Sequence, residues 1–208
     1  GDSGVVGELA TRICGSSDRY SAARGPNASV SFVTAHDGFT LRDLVSYGRK
    51  HNEANGENNG DGHEPSFSRN FGPEGDTDDA DVLARRLRVA KSMILTLAMS
   101  QGVPMILGGD EVLRTQLGNN NAYCQDNPGV YTKWDNRSPE VASMLAHFRA
   151  VFRARKRFDF LRRSTFFSGE RVSPEAPDVA FYTISGVPMA GRDWADPEPD
   201  EVIDGGFA

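Results

Sequence analysis

One amphipathic segment constrains the fold more than any other stretch of this chain. Residues 78–102 read DDADVLARRLRVAKSMILTLAMSQG, opening on the acidic residues that a helix N-terminus favours. Val82, Leu83, Leu87, Ala90, Met93, Ile94, Leu97 and Ala98 recur at helical spacing. Gly102 suits the position just past the helix end, with Pro104 beyond it. A short apolar run stands on each side of this helix, and each run stops at an acid. Before it, residues 30–34 (VSFVT) lead into Ala35-His36-Asp37-Gly38; after it, VPMIL leads into Gly108-Gly109-Asp110-Glu111.

Strand, helix and strand in that order predict parallel β/α units. In such units chemistry gathers at the carboxyl ends of the strands, so Asp37 and the pair Asp110-Glu111 are expected on one face. A second long helix is predicted from Ser138-Pro139-Glu140, with cap, N1 proline and early acid in sequence, and with Val141, Leu145, Phe148 and Phe152 as its apolar positions. A short amphipathic helix is expected within VVGELATRI near the start. From PDVAFYTI onward the pattern turns β-like, as at the start of a separate small β domain.

Composition removes several classes of function. A net charge of -6 argues against a nucleic-acid or anionic-membrane surface as the main partner. No apolar run approaches the ~18 residues of a membrane span, and no signal-peptide core opens the chain. Cys14 and Cys124 fit no zinc spacing or disulfide scaffold, so they read as buried free thiols of a reducing cytoplasm. The chain begins at Gly1 rather than Met and stops at EVIDGGFA without cap or turn, which reads as processing or as a piece of something longer.

Each candidate site has a plain structural alternative. His36-Asp37 could ligate a metal only with further histidines, and His51, His63 and His147 lie in a polar loop and on an amphipathic helix, so no metal site is assigned. Asp37 could also serve only to cap the turn that follows it. NGENNGDGHE offers oxygen ligands but lacks the spacing and closing glutamate of an EF-hand, and reads as a flexible surface loop. It lies within residues 50–77, a long polar stretch of the kind that forms a functional lid or stays disordered. GNNNAYCQDN concentrates amides beside a tyrosine, which suits sugar hydroxyls or an ordinary turn cluster. Arg149, Arg153, Arg155, Lys156, Arg157, Arg162 and Arg163 read as the solvated face and C-terminal dipole partners of their helix.

Together, SVSFVTAHDGFTLRDLVSYGRKHNEANGENNGDG, LTLAMSQGVPMILGGDE and GNNNAYCQDN resemble the α-amylase superfamily of glycoside hydrolases, and closely the glycogen debranching enzymes of the isoamylase type. GELATRICGSSDRY and DVAFYTISGVPMAGRDW look more loosely like the same family's flanking segments. The resemblance implies an α/β fold: the last two β/α units of a (β/α)8 TIM barrel in residues 1–165, then the beginning of a C-terminal β domain in 166–208. Residues 30–34 would be its seventh strand and 103–107 its eighth.

By the same resemblance Asp37 is the transition-state-stabilising carboxylate and His36 a substrate-binding residue. No organic cofactor is implied, and the partner is a branched α-glucan such as glycogen or its limit dextrin. The nucleophile and general acid of a retaining mechanism would lie on earlier strands, so the 208 residues alone are expected to be inactive. Asp110 and Glu111 are given only a supporting role. The alternatives are another hydrolase of the superfamily, acting on α-1,4 links or releasing trehalose, and a non-catalytic glucan-binding or structural fragment.

Overall fold

The computed structural model describes residues 4–174 and 176–195; the abrupt end expected at EVIDGGFA lies outside them. Its elements, in chain order, are α1 (Val6–Ile13), β1 (Val30–Ser31), α2 (Leu41–Leu44), α3 (Ala80–Met99), β2 (Val103–Pro104) and α4 (Pro139–Arg157), joined by loops and short 3-10 turns. They fall into two compact units. One comprises Val30–Met99 with Val103–Arg162, and the other the described parts of Gly1–Ser29 and Arg163–Ala208 with Ser100–Gly102.

In the first unit β1 and β2 pair in parallel, with Val30 opposite Val103 and Ser31 opposite Pro104. The parallel β–α–β order predicted from sequence is therefore present, and both acidic exits leave the same end of the pair. The strands are shorter than the five residues expected of each. Met105 N–H donates to Ser31 C=O at 2.8 Å, one residue past the last paired position. Among the described residues each strand also has only the other as a neighbour.

Helices α3 and α4 build the core. Asp79 caps α3 by accepting from the Asp81 and Val82 N–H groups at 2.9 and 3.1 Å, and Ser138 caps α4 by accepting from Val141 N–H at 3.3 Å. Ala90, Ile94 and Ala98 of α3 close on Met144, Phe148 and Val151 of α4, with Leu41 and Val45 completing the cluster. Burying a side chain such as Ile94 or Met144 stabilises by about 1.5–3 kcal/mol. The buried stripe of α4 runs Val141, Met144, Phe148, Val151, Arg155, so Leu145 and Phe152 flank it rather than form it.

Arg155 corrects the reading of the basic run. It is buried, not solvated, and donates to Ala98 C=O at 2.8 Å near the end of α3, where unpaired carbonyls need donors. Arg162 donates to the Arg155 and Lys156 carbonyls at 3.1 Å each, as a helix C-terminus favours.

In the second unit, α1 forms as its amphipathic pattern predicts. Gln101 N–H donates to Ile13 C=O at 2.7 Å, and the Gln101 side chain accepts from Arg163 N–H at 3.1 Å. Among the described residues, the β-like pattern around and after 177 appears as isolated antiparallel bridges, Arg171 with Pro177 and Tyr182 with Pro188. Both thiols are free. Cys14 is half-buried, and burial pushes its pKa up, with Asp178 adding to the effect; Cys124 is exposed, against the expectation that it is buried.

Candidate active site

The turn after β1 presents two side chains to solvent. His36 and Asp37 are 89% and 57% exposed, with His36 Nε2 3.4 Å from Asp37 Oδ2, so both can meet an incoming molecule. Gly38 follows at φ +98°, in the left-handed region where an L side chain is strained. A Cβ there would meet nothing, so glycine is required for the backbone and not for space. Thr40 then caps α2 by accepting from Asp43 N–H at 3.2 Å. The capping role considered for Asp37 therefore belongs to Thr40.

The exposed turn rests on buried polar groups. Asp110, 1% exposed, accepts from Thr34 Oγ1–H at 2.5 Å and from Leu41 N–H at 3.0 Å. Burial pushes its carboxyl up, these hydrogen bonds pull it back, and the balance lies at about 6. Glu111 acts locally, accepting from Gly109 N–H at 3.0 Å. Asp43 is also buried and accepts from Thr115 Oγ1–H and Gln116 N–H at 2.5 and 2.7 Å, fastening the start of the next loop to α2.

The amide-rich stretches hold each other. Asn52 Nδ2–H donates to Asn120 Oδ1 at 2.8 Å, and Asn120 N–H donates to Asn52 Oδ1 at 2.9 Å. Asn55 and Asn121 both donate to Asp61 Oδ2 at 2.7 Å, and Asn119 donates to Asn55 at 2.8 Å. Asn52 and Asn120 are almost fully buried, so the loop read as flexible is pinned along its length. Gly62 belongs to the same packing, because a Cβ there would lie 2.1 Å from Asn120 Oδ1. The network reaches the exposed turn where Asn120 C=O accepts from Gly38 N–H at 2.9 Å. The amides, which suit sugar hydroxyls or an ordinary turn cluster, are largely engaged with one another.

Two charged residues order the remainder of the long stretch. Arg86, on α3, donates to the carbonyls of Asn70, Gly75 and Pro73 at 2.8, 2.6 and 2.6 Å. Glu74 accepts from Gly48 N–H, His51, Asn70 and Arg49 N–H. Burial pushes Glu74 up, but these four donors outweigh it and bring the carboxyl from an ordinary 4.5 to about 2.

A depressed carboxyl contributes stability above its unfolded pKa and loses it as pH falls through the folded one. The stability difference between the full-length protein and its Glu74→Gln variant should therefore be full above pH 4.5 and shrink toward pH 2. Thermal denaturation of both proteins across that range checks it; a difference independent of pH would contradict the assignment.

His51 and His147 bind Glu74 Oε1 and Lys91 C=O, each at 2.9 Å, and among the described residues no group of His, Cys, Asp or Glu is arranged to hold a metal ion. Sequence reading missed Thr34, Asp43, Asn52, Arg86 and Asn120. For Asp43 a signal existed in Thr-x-x-Asp, where the acid at the third helical position suits a cap. Beyond the turn, exposed Tyr131 and Trp134 line an open cavity with Arg114, Gln116 and Gln125. No helix among the described residues is long and apolar enough to cross a membrane.

No family model matches the chain. It is 51% identical over 197 residues, 93% of its own length, to the glycogen operon protein GlgX homolog of Mycobacterium bovis. It is 41% identical over 191 residues, 91% of its length, to the glycogen debranching enzyme of Pectobacterium carotovorum. The chain spans 27% and 28% of these two curated relatives. Its fold is also that of part of the pullulanase from Bacillus acidopullulyticus, with a TM-score of 0.57 at 24% identity, over 79% of this chain and 16% of that one. Over more than nine tenths of its length the chain is thus similar to GlgX-type glycogen debranching enzymes, and it corresponds to about a quarter of the length of these relatives.

Proposed function

We propose that the protein containing this segment hydrolyses α-1,6 branch linkages of glycogen or its limit dextrin, by a retaining mechanism and in the cytoplasm. In this reading residues 1–165 are the last two units of a (β/α)8 barrel, and 166–208 begin a C-terminal β domain. Asp37 is the carboxylate that stabilises the transition state, and His36 contacts the same sugar. The observation that carries the reading is the exposed His36-Asp37 pair on a braced turn at the end of β1, in a chain 51% identical to a GlgX homolog.

The chemistry follows from charge. As the ring moves toward an oxocarbenium ion its hydroxyls become better donors, and a carboxylate beside them gains more in the transition state than in the ground state. The Asp37 side chain, exposed at the end of a strand, is placed for that contact. The nucleophile and general acid, about 5 Å apart in a retaining enzyme, are supplied by other parts of the full-length protein. The isolated 208 residues therefore do not turn over substrate. Tyr131 and Trp134 offer flat apolar faces of the kind pyranose rings stack on.

Product analysis of the full-length protein acting on a branched glucan tests the proposal. Release of linear maltooligosaccharides without shortening of the α-1,4 chains is the expected result. Trehalose or progressively shorter α-1,4 products would assign a different hydrolase of the superfamily. Binding without any product would favour a glucan-binding role.

A further inference from the structure

We infer that Asp110 is the positioning residue for Asp37, holding both ends of the turn that presents it. The inference rests on the proposed role of Asp37. Residues 34 and 41 bracket the segment 35–40, and one carboxylate takes both: Oδ2 accepts from Thr34 Oγ1–H at 2.5 Å, and Oδ1 accepts from Leu41 N–H at 3.0 Å. Thr34, Leu41 and Asp110 are 6%, 0% and 1% exposed, so water does not compete for these bonds. The middle of the turn is fixed separately, by Gly38 N–H on Asn120 C=O at 2.9 Å.

A carboxylate with one oxygen on each end of a short turn fixes the distance between those ends. That distance sets where the exposed Asp37 side chain stands. Two features separate this arrangement from ordinary packing. The bracing group is a buried side chain with two polar atoms, one on each end of the turn, so it ties the ends to each other and not only to the core. It also comes from the exit of β2, so the ends of both strands are locked to the same turn. Glu111 beside it contributes no bond to the turn; it bonds its own Gly109.

The role is positional, because Asp110 reaches the chemistry only through Asp37. Misplacing a group that acts mainly in the transition state lowers kcat with little change in KM. A purely structural role would lower thermal stability and leave the kcat of the folded enzyme unchanged.

The test uses the full-length enzyme on a branched glucan, with kcat, KM and Tm measured for each variant. Asp110→Ala should lower kcat by about 10- to 100-fold with KM within about threefold. Asp110→Asn can keep both contacts, its Oδ1 accepting from Leu41 N–H and its Nδ2 donating to the Thr34 hydroxyl, and should recover most of the rate. Thr34→Val removes one bond at nearly constant volume and should lower kcat by about fivefold or more.

A folded Asp110→Ala enzyme with kcat within about twofold of the parent would overturn the inference. So would an Asp110→Asn enzyme as slow as Asp110→Ala. If Asp110→Ala does not fold, Thr34→Val decides alone, and kcat within about twofold of the parent overturns the inference. Asp37→Asn is measured beside them. If that variant keeps full activity, the role of Asp37 falls and the inference with it; if it is inactive while Asp110→Ala is normal, the inference falls alone.

Discussion

Asp37→Asn in the full-length enzyme lowers kcat on a branched glucan by about 10- to 100-fold, while KM changes much less. The magnitude follows from the contact. A hydrogen bond to a charged carboxylate contributes about 1.5–3 kcal/mol, and Asn keeps the shape but not the charge. The split between kcat and KM follows from timing, because the ring hydroxyls donate most strongly as the oxocarbenium ion develops. The exposure of Asp37 makes the variant a clean probe: no buried group loses a partner, so stability should be unchanged. A kcat within about twofold of the parent would remove Asp37 from the chemistry.

Arg86→Met has the largest expected effect on structure. Its guanidinium is buried and supplies the donors for the carbonyls of Asn70, Pro73 and Gly75, which a thioether cannot replace. Stranding such carbonyls costs about 1–3 kcal/mol each, less where water can enter, so a loosening of about 3 kcal/mol is expected for this segment. That is a shift of roughly 100-fold in the local opening equilibrium. Hydrogen exchange of the full-length protein should register it at Gly75 N–H, which donates to Ser46 C=O, and at Gly48 N–H, which donates to Glu74. Unchanged protection at both amides would mean that other contacts hold the segment.

The sequence showed periodicity and punctuation well, and partnership poorly. Both long helices were legible from apolar spacing and their caps, because a helix states its buried face every third or fourth residue. The exits at Asp37 and Asp110 were legible because a strand stopping at an acid is unusual on either side of a helix. The order of residues 50–77 was not legible. A run of Asn, Gly and Asp has the composition of a loose loop, and only its partner at 118–127, far away in the chain, turns those amides into a buried lattice. Arg155 escaped for a related reason: arginine on a helix reads as solvated until a neighbouring helix end brings a free carbonyl to it. The extent of the strands was not legible, because apolar content marks where a strand runs while its paired length depends on its neighbours, and β1 and β2 pair over two residues each.

The role of Asp37 is tested most directly by a structure of the full-length enzyme with a branched oligosaccharide bound. The expected result is an Asp37 carboxylate oxygen within about 3 Å of ring hydroxyls of the sugar at the scissile α-1,6 bond, with His36 against the same ring. A bound glucan lying in the cleft while Asp37 faces solvent, its place beside the sugar taken by another carboxylate, would remove Asp37 from the chemistry.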